Sequence, residues 1–100
     1  MKGLDVAPEY LHIIMRILQK YVPKYAVWAF GSRVKGTAKP YSDLDLAVIT
    51  TEKALPLSVH AALAEAFSES DLPWKVDIVD WQLASPDFRR IIESRYIVLK

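Results

Sequence analysis

The chain has 100 residues, 13 Lys and Arg against 12 Asp and Glu, a formal charge of +1, and no Cys. A hydrophobic fraction of 52% supplies apolar surface for one core, so the length excludes a second domain and the composition excludes a disordered chain. Without Cys there is no disulfide scaffold, thiol nucleophile or Cys-ligated zinc, and the near-zero charge leaves no global basic field for nucleic acid.

From the N-terminus, Met1-Lys2-Gly3-Leu4-Asp5 leads into no signal-peptide core, and no apolar run reaches the roughly 18 residues of a membrane span. A cytoplasmic, membrane-free protein is expected. Pro8 to Tyr21 reads as a helix, because Tyr10, Ile13, Ile14, Ile17, Leu18 and Tyr21 recur with helical spacing; Pro23 ends it. Tyr25 to Phe30 is short, aromatic and apolar, which suits a buried strand closed by Gly31. A loop through Gly36, Thr37, Pro40 and Ser42 follows, then a strand from Asp43 to Thr50 with Leu44, Leu46 and Val48 on one face and Asp43, Asp45 and Ala47 on the other.

Pro56 to about Ser70 reads as an Ala-rich helix, and Asp71-Leu72-Pro73 as a turn. Val76 to Trp81 is a third strand. Ser85-Pro86-Asp87 combines an N-cap, a proline at the first helical position and an acid in the first turn, opening a helix with Phe88, Ile91 and Ile92 inward. Tyr96 to Lys100 is a candidate fourth strand. The order α-β-β-α-β-α-β implies an α+β fold, a mixed β-sheet backed by helices, because the first two strands are joined by a loop too short for a crossover helix.

The chemistry concentrates between Phe30 and Leu46. A strand ending in Gly31-Ser32 frees backbone N–H groups, lets a ligand oxygen approach where Gly lacks Cβ, and adds a hydroxyl donor, a combination suited to an anion. Arg33 and Lys35 add local positive charge beside it. Asp43 and Asp45 project from one strand face about 6 to 7 Å apart, and a hard divalent cation between them relieves their repulsion. Asp77, between Val76 and Ile78, is a third carboxylate where packing alone favours an apolar residue. Its competitor Asp80 falls on the opposite strand face, close to the strand end, where water suffices to explain it.

Gly31-Ser32, ten intervening residues, Asp43-Leu44-Asp45 and a later Val-Asp-Ile resemble the DNA polymerase β nucleotidyltransferase superfamily. The small size is similar to the minimal nucleotidyltransferases, the MNT-type antitoxins of HEPN/MNT toxin-antitoxin pairs. That resemblance implies a polymerase β-like nucleotidyltransferase fold in a single minimal domain over 1–100. It also implies metal ligation and catalysis by Asp43, Asp45 and Asp77, a grip on the phosphates by Gly31 and Ser32 with Arg33 beside them, and two Mg²⁺ ions, replaceable by Mn²⁺. ATP is the implied substrate and a hydroxyl of the HEPN ribonuclease toxin, a tyrosine, the implied acceptor; nucleic acid is not an expected partner.

Plainer readings stand beside these. His12 and His60 have no metal-ligating partner at useful spacing, and the absence of a Gly-x-Ser-x-Gly elbow removes a serine hydrolase. Trp28 and Trp74 read as packing aromatics, and Trp81 as a base-stacking surface or a core residue. Arg89 and Arg90, adjacent on a helix, read as rim charges. Two further functions remain open: neutralisation of a partner by binding alone, motivated by the apolar tail Tyr96 to Leu99, and modification of a small molecule or RNA with a separate substrate-binding chain.

Overall fold

A computed structural model describes residues 1–100. Helix α1 spans Pro8–Tyr21, as the apolar spacing predicts, with Pro8 opening the first turn, Glu9 near its positive end and Lys20 near its negative one. Strand β1 (Ala26–Phe30) is followed by a four-residue helix α2 (Ser32–Lys35), then by β2 (Leu44–Ile49). Helix α2 stands inside the stretch that reads as loop. Gly31 at φ +80° and Gly36 at φ +76° bound it, so its limits are set by two left-handed backbones rather than by apolar periodicity.

Helix α3 (Leu57–Ser68) crosses back to β3 (Val76–Asp80). A 3-10 turn (Trp81–Leu83) ends that strand, and helix α4 (Pro86–Ser94) follows, with the Ser85 hydroxyl accepting from the Phe88 N–H as the N-cap expectation requires. The tail forms a fourth strand, β4, of two residues only, Ile97–Val98. Its end is tied down by Lys100 Nζ, which donates to the carbonyls of Val22, Pro23 and Tyr25 at 2.8, 3.1 and 2.7 Å.

The sheet order is β3-β2-β1-β4. β1 pairs antiparallel with β2 and with β4, whereas β2 and β3, joined through α3, are parallel. The mixed sheet of the α+β expectation is thus present. On one face Val27, Ala29, Leu44, Leu46 and Val48 pack against Ile14 and Leu18 of α1 and Leu63 and Phe67 of α3. On the other face Phe30 and Ala47 meet Ile92 of α4, with Trp28, Ile49, Val79, Trp81 and Phe88 around them. Strand alternation sends Asp45 and Asp77 to this second, more thinly covered face. No helix is long and apolar enough to cross a membrane.

Candidate active site

The acids meet through sheet register. Asp45 of β2 lies directly opposite Asp77 of β3, and on its other side opposite Phe30, the last residue of β1. Adjacent strands are about 4.8 Å apart, so Asp45 is flanked at close range by the Asp77 strand and by the turn at Gly31. Asp43 sits just ahead of β2 and is exposed, while Asp45 and Asp77 are half-buried. The Leu44 N–H donates to the Lys75 carbonyl at 2.9 Å, which locks the start of β2 beside the start of β3.

Gly31 explains why a side chain is missing at the strand end. A Cβ there would collide with Asp45 Oδ2, and the positive φ would strain any other residue. The glycine therefore keeps the Asp45 carboxylate close to the backbone of the turn. Ser32 follows as the first residue of α2 and is half-buried.

Three carboxylates in this small space raise the cost of charging the central one. Burial pushes the Asp45 carboxyl above its ordinary range, and the neighbouring Asp77 and then Asp43 push it further. Asp77 Oδ1 pairs with Lys75 Nζ at 3.3 Å, an exposed pair of small worth that a stronger cation can displace. No three acid or His side chains are already closed around a common point. The donor set nevertheless fits a hard divalent cation: all ligating atoms are carboxylate oxygens, and their mutual repulsion is what a cation relieves.

Arg33, expected beside the phosphates, is turned into the fold. Its side chain is 5% exposed, and its guanidinium donates to the carbonyls of Asp5 (2.9 Å), Pro40 (3.2 Å) and Ser42 (2.8 and 3.1 Å) while lying 4.4 Å from the Trp74 ring centre. A fork engaged on three carbonyls and an aromatic face has little left for a triphosphate.

Asp80 also departs from expectation. It is 3% exposed rather than facing water, and it accepts from the Thr50 hydroxyl and the Leu55 N–H at 2.6 Å each, and from the Gln82 N–H at 3.1 Å. This acid is a structural hub. Its visible signal in the sequence was an Asp directly before a turn, where an acid caps the next N–H groups. Lys75, missed as a site neighbour, had its own signal: it lies two residues from Asp77 and so on the same strand face.

Trp81 packs edge-on against Trp28, with centroids 5.5 Å apart, beneath the Arg89 guanidinium; Arg89 Nε donates to the Trp81 carbonyl at 3.0 Å. Both residues are thus engaged in packing at the root of α4. Arg90 remains at the rim, paired with Asp87.

Residues 11–99 match the family model described as nucleotidyltransferase domain. The chain is 58% identical over 97 residues to a Haemophilus influenzae protein named probable protein adenylyltransferase MntA, covering 97% of this chain and 84% of that protein. A chain in a crystal structure of a toxin-antitoxin with AMP-PNP superposes at a TM-score of 0.75 with 28% identity, over 90% of this chain and 72% of that one. A chain from a tri-AMPylated Shewanella oneidensis HEPN toxin in complex with MNT antitoxin does so at 0.65 with 26% identity, over 90% and 68%. The mixed sheet with its four helices is the polymerase β-like nucleotidyltransferase fold of these structures.

Proposed function

The chain belongs to the nucleotidyltransferase domain family, and from that premise we propose that it is the antitoxin of a HEPN/MNT toxin-antitoxin pair. As a minimal catalytic domain in the cytoplasm, it transfers AMP from ATP to a hydroxyl of the partner HEPN ribonuclease toxin, a tyrosine, and so neutralises it. The observation that carries this reading is the register placing Asp45 opposite Asp77, with Asp43 two residues upstream and the Gly31 turn against Asp45. The relatives named above support the toxin partner and the nucleotide.

Asp43, Asp45 and Asp77 would hold two Mg²⁺ ions, or Mn²⁺ in their place, which when bound supply charge stabilisation to the attacking and leaving oxygens. In the transfer, the acceptor oxygen forms a bond to the α-phosphorus and the bond to pyrophosphate breaks. Asp77 orients the acceptor hydroxyl and takes its proton at a carboxylate oxygen. Gly31 leaves the backbone open to the β- and γ-phosphates, and Ser32 offers them a hydroxyl. The chain's own part is mostly alignment, which together with electrostatic stabilisation accounts for the rate in such displacements.

Neutralisation by occlusion loses much of its motive, because the apolar tail pairs through Ile97 and Val98 with Trp28 and Ala29 of the chain's own sheet. The test is to mix the chain with its HEPN partner, ATP and Mg²⁺ and weigh the partner. A mass gain in multiples of an AMP residue is expected, and its loss by about 10³-fold in the rate for Asp43→Asn with Asp45→Asn. No gain under conditions where the two proteins bind would overturn the reading; neutralisation preserved in the double variant would restore occlusion.

A further inference from the structure

Arg33 is a buried cation with no carboxylate partner, since the ion pairs of the structure are Lys75 with Asp77 and Arg90 with Asp87. Burying a guanidinium is costly unless its donors are matched, and here they are matched by carbonyls from two segments distant in sequence. Asp5 is on the N-terminal segment, and its N–H also donates back to the Arg33 carbonyl at 2.7 Å. Pro40 and Ser42 are on the loop that delivers Asp43. Trp74, under the guanidinium, ends the turn that delivers β3 and Asp77; Tyr10 of α1 holds its ring edge-on at 6.0 Å between centroids.

Arg33 thus touches the segment before Asp43 and the segment before Asp77, while its own backbone follows Gly31-Ser32. We propose that Arg33 is a positioning residue: a buried strut that sets the spacing between the Asp43, Asp45 and Asp77 carboxylates and the Gly31 turn, without contacting nucleotide. The planar fork is what the position needs, because it reaches Ser42 with two nitrogens and Asp5 with a third while stacking on Trp74. Lys gathers its three donors on one nitrogen and has no plane to lie on the Trp74 ring. This inference rests on the metal-binding reading of the three acids.

The test is Arg33→Lys in the full chain. Binding of Mn²⁺ alone is followed by electron paramagnetic resonance, amide exchange is followed over residues 37–43, and turnover is measured with ATP, Mg²⁺ and the partner protein. Expected are Mn²⁺ binding weaker by about tenfold or more, faster exchange in the loop, and a kcat lowered by a similar factor with the KM for ATP within about twofold. Trp74→Leu leaves Arg33 and every acid in place and is expected to show the same pattern more weakly, which covers the case in which Arg33→Lys does not fold. Unchanged Mn²⁺ binding in a folded variant overturns the proposal. So does a raised KM for ATP with kcat and Mn²⁺ binding kept, which marks a triphosphate ligand, and so does collapse of both variants, which marks a residue of the fold alone. Because Mn²⁺ binding needs neither ATP nor partner, weakened Mn²⁺ binding alongside a wild type that transfers nothing sinks the functional proposal and supports the strut.

Discussion

The two ends of the β2–β3 pair carry acids on the same strand, three residues apart, and treat them in opposite ways. At one end Asp45 faces Asp77 with Asp43 close by, and the central carboxyl is pushed up by burial and by its neighbours. At the other end Asp80, opposite Val48, is enclosed more completely, yet a hydroxyl and two backbone N–H groups meet its oxygens. Burial alone therefore does not mark a functional acid. What distinguishes the candidate site is carboxylates gathered without enough donors, a charge imbalance that a bound cation would relieve.

The largest way to break this contrast is Asp80→Ala. It leaves the Thr50 hydroxyl and the Leu55 and Gln82 N–H groups without their acceptor, and a loss of about 3 kcal/mol is expected, read as a fall in Tm of more than about 10 °C. Transfer per folded molecule is expected to stay within about threefold. A folded variant with activity abolished would reverse the roles given to the two ends.

Gly31→Ala acts on the functional end. The positive φ costs about 1 kcal/mol, and the new methyl pushes Asp45 Oδ2 aside, so kcat/KM should fall about 100-fold, or about 2.7 kcal/mol. An active Gly31→Ala enzyme would separate the glycine from the carboxylate it touches.

The smallest effect is also the most specific. Because the folded pKa of Asp45 is raised, the folded protein holds this proton more tightly than the unfolded chain does. Its metal-free stability therefore falls as pH rises from the ordinary carboxylate range through that raised value, and the full penalty is present at neutral pH. Asp45→Asn is expected to raise the metal-free Tm slightly at neutral pH, with the gain fading as pH drops toward the ordinary carboxylate range; thermal melts across pH check it. A variant less stable than wild type at neutral pH would mean that Asp45 is satisfied as Asp80 is.

Much of the fold is legible in the sequence alone. Helix α1, β3 to within one residue and the Ser85 cap follow from local rules: apolar spacing, proline placement and side-chain capping act between residues a few positions apart. The candidate site residues Gly31, Ser32, Asp43 and Asp45 stand out in the sequence for the same reason, since one turn and one strand carry them. Helix α2 does not, because two glycine backbones rather than a pattern delimit it.

By itself the sequence singled out Gly31, Ser32, Asp43, Asp45 and Asp77 as candidates, since residue type and strand alternation mark a glycine turn and carboxylates where packing alone would not ask for them. Only the tertiary structure shows what the charged residues Arg33 and Asp80 touch. Arg33 and Asp80 look in the sequence like an anion ligand and a solvated acid. The structure instead surrounds Arg33 with backbone carbonyls 7 to 28 residues away and gives Asp80 the Leu55 amide 25 residues away and the Thr50 hydroxyl 30 away; most of these partners are backbone groups that every residue carries, which no sequence pattern announces.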